Sequence, residues 1–159
     1  MLPLFLLLVA AAPGGLPELF PELGNFTRTV GAPTVGKGDK PTTYSQTASY
    51  SWNGGRFEEI TITLARDPLF KEKYSAEAMK KAKPEPGAVE VNKKRAYLTD
   101  REKPDVLDRV NRTLVVVLAD DKVLLVEQKG FGLDLTEVAK KLDFEKVMNA
   151  LESPPAKKE

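Results

Sequence analysis

One hairpin constrains the fold more than any other stretch of the chain. Residues 112–128 read RTLVVVLADDKVLLVEQ, with two runs that are apolar at every position and a turn at Asp120-Asp121. Successive strand residues point to opposite faces, so both faces of this hairpin are apolar. Leaving one face in water would expose about four such side chains and forgo about 6–12 kcal/mol, which is comparable to the stability of a whole domain. We therefore expect central strands, covered by helices on one side and by further chain or a partner on the other.

A second hairpin is predicted over residues 42–66. The segment TTYSQTASYSW alternates between an apolar, largely aromatic face and a face of hydroxyl side chains, and Asn53-Gly54-Gly55 marks the turn. A three-residue loop brings the apolar faces of the two strands together. It predicts three cross-strand pairs: Tyr50 with Glu58, Ala48 with Ile60, and Tyr44 with Leu64. The hydroxyl face is then expected to point to solvent.

Two helical segments are predicted, each with a break. The first begins at Asp67-Pro68, with the aspartate as N-cap and the proline at the first helical position, and Ser75 is placed to cap a second piece. The second begins at Asp134 in a D-x-x-E capping pattern. The apolar side chains of this segment form two stripes that would lie about 200° apart on one straight helix of about 3.6 residues per turn. One surface cannot bury both stripes of a straight helix, so we expect a break at Asp143.

The remaining patterns complete an α+β fold. Residues 88–98 predict two short strands around Asn92-Lys93-Lys94, and residues 99–110 predict a polar connection. We expect a mostly antiparallel sheet of six to seven strands with two helical segments packed on it. The domain is predicted over residues 25–152, preceded by a linker at 15–24 and followed by a disordered polar tail at 153–159.

The N-terminus has the pattern of an export signal. Residues 2–12 are apolar apart from Pro3, a stretch too short to span a bilayer but typical of a secretory signal. We predict a signal peptide over residues 1–14, cleaved after Ala11 or, as second choice, after Gly14. The pattern departs from the usual one because no Lys or Arg precedes the apolar run, which leaves a buried N-terminal helix as the alternative. Cleavage would leave an exported protein, periplasmic or extracellular, with no membrane span.

Composition excludes several classes of function. The 24 basic and 23 acidic residues nearly cancel to a net charge of +1, which argues against nucleic acid as the main partner. The chain has no cysteine, so disulfides, thiolate nucleophiles and cysteine zinc sites are excluded. It also has no histidine, which excludes Ser-His-Asp and Cys-His machinery.

A glycine-rich stretch partly matches a phosphate-binding loop. Gly31, Gly36 and Lys37 have the G-x-x-x-x-G-K spacing, but Gly38 follows the lysine where a magnesium-binding Ser or Thr is needed. A strand pattern containing Pro41 follows where a helix should begin. We interpret the stretch as a flexible loop joining two strands.

Few other residues suggest a site. Asp120 and Asp121 are interpreted as turn residues, and Asp100, Asp105 and Asp108 as a solvated loop without calcium-loop spacing, so we expect no metal. Three aromatic side chains share one strand face and are the candidates for a binding surface, as an aromatic platform for a sugar: Tyr44, Tyr50 and Trp52. The same face carries the core pattern, so we favour the hydrophobic core as their place.

These observations favour a non-enzymatic exported domain, without a cofactor, that binds a protein partner or a surface or forms a homodimer. Two alternatives stay open. A carboxylate-based glycan hydrolase would need two converging acids, with Glu58, Glu59, Glu90 and Glu127 as the strand-borne candidates. A carrier of a small apolar ligand would need a closed apolar cavity under the sheet.

Overall fold

The computed structural model describes residues 16–38, 42–54, 58–102, 110–130 and 133–152. The predicted signal peptide at 1–14 and the predicted tail at 153–159 lie outside these residues, and both stay predictions. The cleavage of the signal peptide also stays a prediction.

Within the described residues, eight strands form one antiparallel sheet, which confirms the predicted fold class. The strands are β1 (Phe26–Val30), β2 (Thr34–Val35), β3 (Tyr44–Trp52), β4 (Glu59–Arg66), β5 (Gly87–Val91), β6 (Lys94–Glu102), β7 (Val110–Ala119) and β8 (Lys122–Lys129). Their order across the sheet is β1-β3-β4-β8-β7-β6-β5, and the short β2 pairs with β3 beyond the end of β1.

Four helices form two broken segments. They are α1 (Phe70–Lys73), α2 (Ala76–Lys81), α3 (Leu135–Lys140) and α4 (Phe144–Glu152). Both predicted breaks are confirmed: the Ser75 hydroxyl accepts the Ala78 N–H at 3.1 Å, and the Asp143 carboxylate accepts the Lys146 N–H at 3.1 Å. None of the described helices has the length and apolar character needed to cross a membrane.

The hairpin of β7 and β8 lies in the middle of the sheet, as its two apolar faces predicted. On the inner face, Leu114, Val116, Leu124 and Val126 are buried in the main core with α3 and α4. On the outer face, Val115 and Val123 form a smaller cluster with Ala65, and Phe70 and Tyr74 at α1 pack against it. Further chain therefore supplies cover on the second face.

The predicted register of β3 and β4 was wrong by two residues. Tyr50 pairs with Ile60, Ala48 with Ile62 and Tyr44 with Arg66, and the Trp52 N–H donates to the Glu58 carbonyl at 3.2 Å. A shift of two residues keeps every side chain on its face because the strand period is two, so the hydrophobic pattern could not choose between the registers. The prediction that apolar and hydroxyl side chains lie on opposite faces is confirmed.

The strand β6 is longer than predicted. Residues 99–102, expected in a polar connection, pair with β7, and Asp100 forms an ion pair with Arg112 at 3.3 Å. Pairing with the long β7 satisfies backbone groups that a loop would leave to water. The turn before β6 is also tighter than predicted, since only Asn92 and Lys93 form it, with φ of 47° and 64° as in a two-residue hairpin turn.

The glycine-rich stretch forms part of the sheet edge. The Gly31 N–H donates to the Thr47 carbonyl and the Gly36 N–H donates to the Thr43 carbonyl, each at 2.8 Å. These N–H groups thus bond to Thr47 of β3 and to Thr43 just before it, so neither is free to bind a phosphate. A Cβ at Gly36 would clash with the Thr43 hydroxyl, so close packing against Thr43 explains this glycine. The stretch is more ordered than the predicted flexible loop because it contains β2.

Residues 16–24 contribute directly to the core. A short 3₁₀ turn at Pro17–Leu19 places Leu16, Phe20 and Leu23 in the main core, where each is buried. The core therefore extends N-terminal to the domain start predicted at residue 25.

A charged cluster connects α4 to the central hairpin. The Asp121 carboxylate pairs with Arg66 at 3.1 Å and with Lys122 at 2.8 Å, and Lys122 also pairs with Glu152 at 2.6 Å. Arg66 additionally donates to the Glu152 carbonyl at the end of α4 at 2.9 Å. Burial acts to raise the pKa of Asp121, but the hydrogen bond from Lys122 and the charges of Lys122 and Arg66 outweigh it and lower that pKa.

We predict that Asp121→Asn lowers the free energy of unfolding by about 1–2 kcal/mol at pH 7. Because folding lowers the pKa of Asp121, its contribution is present above the ordinary aspartate pKa of about 4 and is lost as the pH falls through the folded value. The deficit of the variant should therefore shrink from pH 5 to pH 3 in urea unfolding experiments. Asp120→Asn, at the exposed neighbour, is the control and should stay within about 0.5 kcal/mol of wild type. A deficit that is the same at every pH would contradict the charged role of Asp121.

Candidate functional site

An apolar recess of about 300 Å³ lies where β1 begins and β3 ends. We call it the Trp52 recess. Its walls are Leu23 and Phe26 from the N-terminal end of the domain, Trp52 from the last position of β3, and Leu133 and Val138 from the start of the α3 region. The site thus assembles three segments that are distant in the sequence.

The aromatic wall is formed by neighbouring strands. Phe26 pairs with Trp52 across β1 and β3, and their rings meet edge to face with centroids 5.1 Å apart. Trp52, the only tryptophan of the chain, shares the inner face with the buried side chains of β3 but is itself half-buried. The inner-face pattern thus continues to the sheet end and leaves an aromatic surface open.

The opposite wall is held in place by polar contacts to its backbone. Gln128 is buried at the end of β8, and its carboxamide can donate to the Leu133 carbonyl at 3.2 Å and accept the Leu133 N–H at 2.7 Å. This pairing fixes the backbone of Leu133, while its side chain stays 39% exposed. Leu133 and Leu69 are the large apolar side chains classed as exposed in the described parts of the chain.

The rim carries charges of both signs. Asp134 caps α3 by accepting the Thr136 N–H at 2.9 Å, and the hydrogen bond from the Thr136 side chain is the main cause of a lowered pKa of Asp134. Glu137 pairs with Lys140 at 2.7 Å, and Lys141 lies at the same rim. Both carboxylates are thus occupied in stabilising α3, and the interior offers apolar surface for binding.

The N-terminal wall depends on three side chains of the sheet. Gln46 is buried, and its carboxamide accepts the Leu16 N–H and donates to the Gly31 carbonyl, each at 3.0 Å. The Tyr50 hydroxyl donates to the Pro21 carbonyl at 2.7 Å. Arg28 donates to the Phe20 carbonyl and pairs with Glu22 at 3.0 Å. These bonds hold residues 16–24 on the sheet and thereby position Leu23.

Two of the three candidate aromatic residues lie in the core, which the strand pattern favoured over a binding surface. Tyr44 and Tyr50 are 1% and 0% exposed, so they belong to the core and offer no accessible surface. Burial is the main reason that the pKa of Tyr50 is raised to about 12. The charge of Arg28 acts to lower this pKa, and the charge of Glu22 acts to raise it. Of the three predicted residues, only Trp52 lines the recess, because only it lies at the open end of the sheet.

Sequence reasoning missed Leu23, Leu133 and Val138. A usable signal existed for the first: Leu16, Phe20 and Leu23 follow an i, i+4, i+7 spacing typical of a buried helical face. No local signal places Leu133 beside Trp52, because that proximity arises from the pairing of β4 with β8.

The acidic residues proposed for a glycan hydrolase lie away from the Trp52 recess. None of them lines the Trp52 recess. Glu59 and Glu127 are diagonal neighbours on the outer face, since Glu59 pairs with Lys129 and Glu127 with Thr61, whereas Glu90 lies on β5 at the far edge of the sheet. The described residues contain no group of three or more potential metal ligands. Asp105 and Asp108 fall outside the described residues.

Comparisons with known proteins identify no relative: no protein-family model matches the chain, and searches of curated proteins and of solved structures found no significant match.

We predict that Gln46→Leu destabilises the protein and disturbs the Trp52 recess. The substitution leaves the buried Leu16 N–H unpaired, at about 1–3 kcal/mol, whereas Gly31 is exposed and water can bond to its carbonyl. The free energy of unfolding in urea should therefore fall by about 1–3 kcal/mol, and Trp52 fluorescence should shift to longer wavelength as Leu23 loosens. Ser51→Val, on the exposed outer face of the same strand, is the control. A variant as stable as this control would show that Gln46 does not hold residues 16–24.

Proposed function

We propose that this chain is a non-enzymatic binding module that holds an apolar side chain of a protein partner in the Trp52 recess. The observation that carries the proposal is an open apolar recess with a half-buried tryptophan at its wall. Tryptophan is enriched among the residues that contribute most to the affinity of protein interfaces.

The size and rim of the recess favour a protein side chain over a free ligand. At about 300 Å³ it is at the lower limit of pockets that bury a small molecule. Its rim of Asp134, Glu137 and Lys141 has the polar and mixed-charge character that surrounds the apolar centre of a protein interface. The exposed side chain of Leu133 extends the apolar surface beyond the recess itself.

A carrier of a small apolar ligand is the second and weaker candidate: the walls of the recess are apolar, but the recess is open, whereas a carrier needs a closed cavity. We further propose that either function is exercised outside the cytoplasm, on the strength of the apolar stretch at residues 2–12. The mass of the mature protein from its own host tests this setting. A chain lacking residues 1–11 or 1–14 supports export, and retention of Met1 contradicts signal cleavage.

A selection from a displayed library of random twelve-residue peptides tests the binding proposal. We expect wild-type protein to enrich peptides with one large apolar residue, and we expect these peptides to bind Leu133→Asp at least tenfold more weakly. Leu69→Asp, at the other exposed leucine, is the matched control and should bind like wild type, since Leu69 does not line the recess.

Three outcomes decide between the candidates. Peptides that lose affinity only for Leu133→Asp support the protein-binding proposal. Peptides that bind both variants equally contradict the site. Failure to enrich any peptide, together with a small apolar molecule retained in native mass spectra of the protein from its host, favours the carrier.

A further inference from the structure

A second recess, of about 280 Å³, lies on the opposite face of the sheet under α1. We call it the α1 recess. Its floor is the apolar outer face of the central strands, with Val123 and Leu125 of β8 and Ala65 of β4. It shares no lining residue with the Trp52 recess.

One wall of the α1 recess is aromatic. Phe70 and Tyr74 both line it, with ring centroids 5.5 Å apart and an angle of 53° between the rings. Both side chains are half-buried, so part of each ring is accessible from the recess. Because the two rings are inclined, each offers its own flat apolar face, and one such face can receive the face of a ligand ring.

The other wall consists of uncharged hydroxyl groups. Thr34, Thr43, Ser45 and Thr63 line it, and each hydroxyl can both donate and accept a hydrogen bond. The Thr63 hydroxyl lies 2.9 Å from that of Thr47, which continues the row out of the recess along β3. This wall is suited to a ligand that itself carries several hydroxyl groups.

The charges around the α1 recess do not favour an ion. The lining has two cations, Arg66 and Lys73, and one anion, Asp67. The Lys73 ammonium lies 5.3 Å from the centre of the Tyr74 ring, and the Asp67 carboxylate accepts the Leu69 N–H at 2.9 Å. The Arg66 guanidinium is held by Asp121 and by the end of α4. A cluster of cations, as a phosphate or sulfate site requires, is therefore missing from the lining.

We propose that the α1 recess binds a neutral carbohydrate. One sugar ring lies with its apolar face against the Phe70 ring, beside Tyr74, and its hydroxyl groups bond to Thr63 and Ser45. The next sugar unit of the saccharide extends past Thr47 along the hydroxyl face of β3. With the Trp52 recess on the other side of the sheet, the protein could hold a carbohydrate and a protein partner at the same time.

Isothermal titration calorimetry with cellopentaose, maltopentaose and chitopentaose tests this proposal on the intact protein. We expect at least one of the three to bind saturably, and more tightly than the corresponding disaccharide. Phe70→Leu keeps the apolar packing but removes the ring, and Thr63→Val removes one hydroxyl at nearly constant shape. Each should weaken binding about two- to tenfold.

Thr99→Val is the matched control, because Thr99 is a half-buried outer-face threonine on β6, away from the α1 recess. It should bind the saccharide like wild type, as should Leu133→Asp in the other recess. Thermal unfolding of every variant verifies that it is folded. The proposal is overturned if no neutral saccharide binds, if Thr99→Val weakens binding as much as Thr63→Val, or if only an anionic polysaccharide such as heparin binds in a salt-sensitive manner.

Discussion

The two apolar faces of the β7–β8 hairpin are the constraint on which the rest of the structure depends. Burying both faces requires a layer on each side of the sheet, and one chain supplies both. The pair α3 and α4, with residues 16–24, covers the inner face, while α1 covers the middle of the outer face. The charged cluster around Asp121 then fixes the end of α4 to the turn of the same hairpin.

Both recesses lie where these layers end. The inner layer stops before the last position of β3, which leaves Trp52 half-buried beside Leu133. The outer layer is only as wide as the short α1, so the hydroxyl side chains of β3 and β4 meet its aromatic side chains at an open margin. The candidate sites thus follow from incomplete cover of a sheet that is apolar on both faces at its centre.

Local patterns predicted much of the fold but little of the site. The alternation of β3, the helix break at Asp143 and the central position of β7 and β8 follow from periodicity and capping, which depend on neighbouring residues. The two-residue register error arose because a period of two makes such shifts equivalent. Tyr44 and Tyr50 carry the same pattern as Trp52, and only the extent of the covering layer, a tertiary property, decides which aromatic ring stays accessible.

The most direct test of binding in the Trp52 recess is a heteronuclear NMR titration of the wild-type protein with 3-methylindole, which reproduces the side chain of tryptophan. Binding in the Trp52 recess predicts saturable shifts of the Trp52 indole N–H and of the methyl groups of Leu23, Leu133 and Val138, with the buried methyl groups of Leu114 and Leu124 unchanged. Shifts that are missing from the Trp52 recess, or that spread evenly through the core, would contradict the claim that the uncovered end of the inner face is the binding site.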